Sequence, residues 1–304
     1  MKRMKITVVG CGSAFSHKNY HQSFLLEDVD ASNRPKKMLF DCGHQIPMAL
    51  EHLNINPTEI DAIIISHDHN DHIGGLEEVA LSRYDWLNLP EAFDSIPELK
   101  YAVQLICDSR LLGRIWRGSL RNGLETIEGF KAGLKTFFEP IEVKINESFQ
   151  WCGWDVRFVQ QVHNMSGTEI KLAFGLIMKK EGHKTVYFTA DSQYCSPRQI
   201  SVFYNQADLI FQDCELAGVD TTAAEGFKFK FGSGIHANYA ELAGYPSANN
   251  AKLPLEIKKK MWLSHFQDCK NDKKDHFGND CDWDKLANKD GFSGFLKVGQ
   301  VIKV

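Results

Sequence analysis

Six residues restrict this chain more than any others: His67-Asp68-His69-Asn70-Asp71-His72. Imidazole nitrogens and carboxylate oxygens are the donors that hold zinc, manganese or iron, and a catalytic site keeps one coordination position open for water. Four potential ligands this close together cannot all face one way in a regular helix or strand. From an irregular loop they can converge on two neighbouring cations. The flanks suit such a loop: Ala62–Ser66 is an apolar, β-branched run that reads as a buried strand, and Gly74-Gly75 follows. The competing reading is a solvated polar loop, which leaves the order of the donors unexplained. Two cations a few ångströms apart would lower the pKa of a shared water and stabilise attacking and leaving oxygens together.

Three later segments repeat the arrangement of a donor at the end of a strand-like run: Val162-His163-Asn164, Tyr187-Phe188-Thr189-Ala190-Asp191 and Trp262-Leu263-Ser264-His265-Phe266. Alone, His163 or His265 would read as a structural histidine. In this order, over nearly the whole chain, the pattern resembles the metallo-β-lactamase superfamily. The resemblance implies an α/β fold of four αββα layers and a site for two divalent metal ions, zinc first, with manganese or iron as alternatives. One ion is expected on His67, His69 and His163, and the other on Asp71, His72 and His265, with Asp191 shared. Asp71 is expected in the catalytic machinery as well.

That superfamily cleaves lactams, lactones, thioesters and phosphodiesters, so the fold leaves the reaction open. Three segments favour phosphodiesters. Val8–Phe15 (VVGCGSAF) resembles the opening strand and turn of tRNase Z-like and cyclic-nucleotide phosphodiesterase-like members. Gly234-Ile235-His236-Ala237-Asn238 resembles the extra histidine motif of that branch, which assigns His236 to the substrate phosphate as a proton donor. Ala207–Asp213 resembles the strand that carries its acidic partner, here Asp213, with Glu215 as second choice. An acid on that histidine would raise its pKa and keep it a donor at neutral pH.

Only 27 residues separate His163 from Asp191, too few for the protruding arm with which bacterial tRNase Z grips tRNA. Pro254–His265 and Gly291–Phe295 look more like small bacterial and phage phosphodiesterases, among them the anti-Pycsar enzymes that destroy cyclic nucleotide signals. The expected substrate is therefore a small phosphodiester, with cyclic nucleotides first and phage counter-defence as one setting. The alternatives are a tRNA 3′-end endonuclease, a lactone or thioester hydrolase (Tyr194 lies three residues after Asp191, where lactonases carry a tyrosine), and a protein that sequesters a nucleotide without cleaving it.

Composition sets the remaining bounds. The 304 residues carry a formal charge of -4, which argues against a general nucleic-acid coat, so no stable nucleic-acid complex is expected. No apolar run approaches a membrane span, and the basic start (Met1–Ile6) leads into a strand-like run rather than a signal peptide. The eight cysteines never form a C-x-x-C pair, consistent with a reduced, cytoplasmic protein. Cys269, His276 and Cys281 match no zinc-knuckle spacing, and the lysines around them oppose a cation. The chain reads as one domain over residues 1–304, with a helical insertion at about 84–140, and as a homodimer. Within the insertion, Arg110, Arg114, Arg117 and Arg121 would form one cationic stripe on a helix. The stripe reads first as a solvated face, since Gly113 and Gly118 weaken the helix, and second as a lid or dimer-contributed wall that grips phosphate.

Overall fold

The computed structural model describes residues 3–87, 102–194, 202–222, 228–229, 232–245 and 253–304. The chain divides into two compact units. The first comprises Met1–Gly10, Tyr20–Glu147 and Gly299–Val304, and the second Cys11–Asn19 and Ser148–Val298. Each is built on a seven-stranded sheet.

In the first unit β1 (Lys5–Gly10), β2 (Ser23–Val29) and β3 (Pro35–Phe40) form an antiparallel meander. The strands β4 (Ala62–Ile65), β5 (Val103–Asp108) and β8 (Phe138–Val143) then add in parallel beyond β3. A small ribbon pairs β6 (Thr126–Ile127) with β7 (Phe130–Lys131). The last strand, β18 (Val301–Lys303), closes the other edge against β1. All four residues of β4 are buried, as expected of a β-branched run with parallel neighbours on both sides.

The second unit repeats the scheme. Its meander runs β9 (Ser148–Trp151), β10 (Trp154–Ser166), β11 (Glu169–Lys179) and β12 (Val186–Phe188). Parallel strands follow: β13 (Leu209–Asp213), β16 (Met261–Ser264) and β17 (Gly294–Phe295). A ribbon pairs β14 (Val219–Asp220) with β15 (Lys228–Phe229). The interval from His163 to Asp191 is filled by the end of β10, the return strand β11 and β12, which leaves no length for an added arm. Buried Val8, Leu26, Leu39, Ile63 and Leu105 make the core of the first unit, and Trp154, Phe174, Phe188, Ile210 and Leu263 that of the second. Each such side chain contributes about 1.5–3 kcal/mol by leaving water.

One sequence expectation needs correction. The stretch at about 84–140, expected as a helical insertion, includes β5, which pairs with both β4 and β8, so this part is integral to the first sheet; residues 88–101 lie outside the described residues. Near the C-terminus lies a helix, Trp283–Asp290, whose first turn is capped by the Asp282 side chain and which buries Trp283, Leu286 and Ala287. The closing strand β18 is reached through Gly299 at φ +79. A left-handed turn there suits glycine, which lacks a Cβ to clash.

The described cysteines are free, and most are buried as small apolar residues; Cys195 lies outside the described residues. No helix among the described residues is long and apolar enough to cross a membrane.

Candidate metal centre

The donors of the first unit follow β4. His67 follows the strand and His69 has an extended backbone, but Asp71 and His72 sit on a helical turn, Asn70–Ile73, rather than in the irregular loop that the spacing suggested. That turn reverses the chain within four residues, so the two halves of the motif can face the same region. His67 and His72 are fully buried, with ring centroids 4.1 Å apart. His69 meets His67 edge-on at 4.6 Å, and His67 Nε2 lies 3.0 Å from His69 Nδ1. Packed imidazoles of this kind cannot all be protonated, whereas their lone pairs suit a shared cation.

A buried relay orients these rings. Asp41 Oδ2 accepts from His72 Nδ1 at 2.8 Å and from the Ser66 hydroxyl at 2.8 Å, while Oδ1 accepts from the Ser66 N–H at 2.8 Å. With its proton committed to Asp41, the Ser66 hydroxyl accepts from His67 Nδ1 at 3.0 Å. The partners therefore assign the proton to Nδ1 of both His67 and His72, and leave each Nε2 as a donor atom for a metal. His72 Nε2 is 3.3 Å from Asp71 Oδ2. Burial raises the pKa of Asp41, opposed by His72 and Ser66. Asp41 itself sits at φ +63, a left-handed conformation that Asp tolerates better than most residues. The neighbouring Gly43 is required by close approach: a Cβ there would come within 2.0 Å of the Asp71 carbonyl oxygen.

Most donors of the second unit stand at or near the C-terminal ends of its strands. His163 lies where the β10–β11 register shifts, Asp191 follows β12, Asp213 ends β13 and His265 follows β16. Ala190 and His265 adopt φ values of +52 and +61. Such conformations cost energy and persist where the surroundings fix them. Asp191, Asp213, His236 and His265 bring donor atoms within 4.8 Å of one another. Asp191 Oδ2 is 3.4 Å from His265 Nε2 and 3.8 Å from His163 Nε2. His163 Nδ1 donates to the Ile235 carbonyl at 2.9 Å, which turns its Nε2 into the atom that can offer a lone pair to a metal. Burial lowers the pKa of this imidazole, which favours the neutral form that a metal needs.

His236 differs from the other histidines of this cluster. Its Nδ1 donates to Asp213 Oδ2 at 2.9 Å, and the same oxygen accepts the Ser192 N–H at 2.8 Å. The other oxygen of Asp213 is 3.4 Å from His265 Nδ1. Burial works against ionisation of both partners, but their mutual attraction outweighs it: the pKa of His236 is raised and that of Asp213 lowered. His236 lines a cavity of about 320 Å³ together with Gln193, Tyr194, Gly232, Gly234, Asn238 and Glu241. Glu215, the second choice for the acid, instead accepts the Ser233 N–H at 2.9 Å and takes no part in the pair.

Sequence reasoning missed Asp41, the hub of the first unit's relay. Its signal was an Asp-Cys-Gly turn directly after a strand. The arginine stripe is also reshaped. Leu112–Ile115 and Arg121–Leu124 are α-helical, but Trp116–Leu120 between them is a π-turn, whose wider repeat breaks the expected alignment. Arg110 pairs with Asp108, Arg114 with Asp68 and Arg121 with Glu125.

Buried histidines and aspartates at strand ends, on two sheets of this pairing scheme, define a protein of metallo-β-lactamase fold with the donor chemistry of a metal-dependent hydrolase. The chain belongs to the anti-Pycsar protein Apyc1 family, whose model matches residues 4–302. An anti-Pycsar protein Apyc1 from Bacillus phage vB_BsuM-Goe3 is 27% identical over 272 residues, covering 87% of this chain and 89% of the relative. Among solved structures, the metallo-β-lactamase fold protein YhfI from Bacillus subtilis superposes with a TM-score of 0.66 at 20% identity, covering 100% of both chains. The short form of human tRNase Z superposes at 0.55 with 16% identity, covering 98% of both chains. These structural matches are matches of fold.

Proposed function

We propose that this chain is a metal-dependent phosphodiesterase that hydrolyses small phosphodiesters, with cyclic nucleotides as the preferred class. The observation that carries the reading is the pair His236–Asp213: a buried carboxylate holds one nitrogen of a largely buried imidazole that lines a small cavity. A histidine held in this way can keep a proton at Nε2 and deliver it to the oxygen that leaves phosphorus. The buried donor set of imidazoles and carboxylates fits divalent cations, with zinc first and manganese or iron as alternatives. In this reading His67, His69 and His163 hold one ion, Asp71, His72 and His265 hold the other, and Asp191 is shared. When bound, the two ions lower the pKa of water and neutralise charge on the phosphoryl oxygens.

The residues of the chain then divide the work. Asp41 and Ser66 fix the tautomers of His72 and His67, and the Ile235 carbonyl fixes that of His163. The Asp71 carboxylate accepts a hydrogen bond from the attacking water. Asp213 keeps His236 protonated and aimed. A cavity of about 320 Å³ suits a nucleotide better than an RNA fold, and the formal charge of -4 offers no general attraction to a polyanion. The anti-Pycsar name of the relatives supports removal of a cyclic nucleotide signal as the setting. Cytoplasmic location and a homodimer belong to the same reading.

A substrate panel tests it. The purified protein, supplied with zinc or manganese, is offered cyclic mononucleotides, a linear dinucleotide, a precursor tRNA and an acyl-homoserine lactone. Turnover of the cyclic nucleotides is expected. Turnover of the lactone alone would overturn the branch assignment, and preferred cleavage of the precursor tRNA would favour the endonuclease reading.

A further inference from the structure

We propose that Arg114 is a positioning residue of the metal site, acting through Asp68 on the loop that carries His67 and His69. The inference rests on the metal reading above and extends it to a residue that contributes no ligand atom. Arg114 Nε donates to Asp68 Oδ2 at 2.7 Å, and Asp68 stands directly between the two histidines. The Asp68 side chain is only 10% exposed, whereas that of Arg114 is 58% exposed. The tether thus reaches from outside into the loop. A charge-assisted hydrogen bond of this length is among the stronger polar contacts available to a protein.

The two ends of the ligand motif are held by different devices. The Asp71–His72 end is fixed from within the sheet, by Asp41 on the His72 ring and by the Cys42 N–H on the His72 carbonyl at 2.8 Å. At the His67–His69 end, Ser66 holds the His67 ring, and Arg114 grips the chain between the two imidazoles. The segment that carries Arg114 is itself anchored. Arg110 binds the buried Asp108 through two hydrogen bonds, of 2.7 and 3.1 Å, and Leu111, Ile115, Leu120 and Leu124 are buried. A π-turn, Trp116–Leu120, begins two residues after Arg114, an irregularity that recurs at functional sites. An anchored guanidinium on an otherwise exposed side chain therefore sets the spacing of His67 and His69, and with it the affinity of the ion assigned to them. The second ion, on Asp71, His72 and His265, lies outside this tether's reach in the motif.

The experiment is a zinc competition titration against a chromophoric chelator, on the full-length wild type and the variants R114A, R114K, D68N and R117A. Melting of the metal-free proteins is measured alongside. The wild type should take up two equivalents. In R114A and D68N one equivalent should weaken about tenfold or more, the size usual for loss of an orienting partner, while the other stays unchanged. R114K should recover part of the loss, because the charge remains and the planar fork does not. R117A removes a neighbouring cation that has no such tether among the described residues and should titrate like the wild type. Unchanged affinity for both equivalents in R114A would overturn the proposal. So would equal weakening of both together with a lower metal-free melting temperature, the mark of a merely structural role. Failure of the wild type to bind zinc would overturn the metal reading itself and this inference with it, an outcome visible before any variant is compared.

Discussion

Asp41 offers a perturbation whose two substitutions should separate stability from metal binding. Its carboxylate accepts three hydrogen bonds of 2.8 Å, from the Ser66 N–H, the Ser66 hydroxyl and His72 Nδ1, at a site that is 1% exposed. Asp41→Ala leaves those donors buried without an acceptor, at about 1–3 kcal/mol each. It also places alanine at φ +63, which costs roughly 1–2 kcal/mol more than a residue that tolerates the left-handed region. Because the three bonds share one carboxylate they are not additive, and a total of roughly 3–5 kcal/mol is expected. Asp41→Asn keeps the shape, the backbone tolerance and one acceptor oxygen, so it should cost only about 1–2 kcal/mol.

The asparagine amide would face His72 as a donor, however. That turns Nδ1 into an acceptor and moves the ring proton to Nε2, the atom assigned to the metal. Zinc affinity should therefore fall about tenfold to a hundredfold in Asp41→Asn although the protein remains folded. Denaturant unfolding of the metal-free proteins and zinc titration of both variants give the two readouts. Wild-type zinc affinity in Asp41→Asn, or a loss below about 1 kcal/mol in Asp41→Ala, would refute the relay.

Other consequences follow from particular residues. His236→Ala should retain both metals while the rate falls about a hundredfold or more, the usual contribution of a positioned acid; full activity would remove its assigned role. Gly175→Ala should abolish soluble expression or lower the melting temperature sharply, since the added Cβ would lie 2.4 Å from the Phe188 carbonyl oxygen on the neighbouring strand β12, and a stable variant would contradict that packing. Asp275, 2% exposed, accepts hydrogen bonds from Thr221, Phe277 and Asn279. Burial opposes its charge, but Thr221 and Asn279 outweigh it and hold its pKa below the ordinary carboxylate value. Its contribution is therefore present above the unfolded pKa, near 4, and is lost as pH falls through the lower folded value. Asp275→Asn should flatten the acid limb of the pH–melting profile, and an unchanged limb would show that other carboxylates dominate.

The fold was legible wherever local pattern and tertiary demand coincide. The buried run Ala62–Ile65 reads as a strand because both its faces are covered, and the histidines announce themselves by donor type and order. Asp213 could be paired with His236 only through the resemblance of Ala207–Asp213 to the strand that carries the acid in the phosphodiesterase branch. What stayed hidden depends on contacts remote in sequence. Asp41 matters because the chain brings Ser66 and His72 to it, and the Asp-Cys-Gly turn after a strand marks a turn without showing those partners. The helix Trp283–Asp290 was obscured because only a few of its residues are apolar, enough to bury one face but too few to mark it. Helical spacing alone cannot reveal the π-turn at Trp116–Leu120, so the even arginine stripe was an artefact of assuming one repeat.

The central claim, hydrolysis of a cyclic phosphodiester at a two-metal site, is tested most directly by stripping the protein with a chelator and adding zinc or manganese back in measured equivalents. Turnover of a cyclic mononucleotide is followed at each step by phosphorus NMR. The account predicts no turnover in the stripped protein and a rate that rises to a plateau at two equivalents per chain. Turnover that survives stripping, or two bound equivalents with no phosphodiester cleaved, would contradict it.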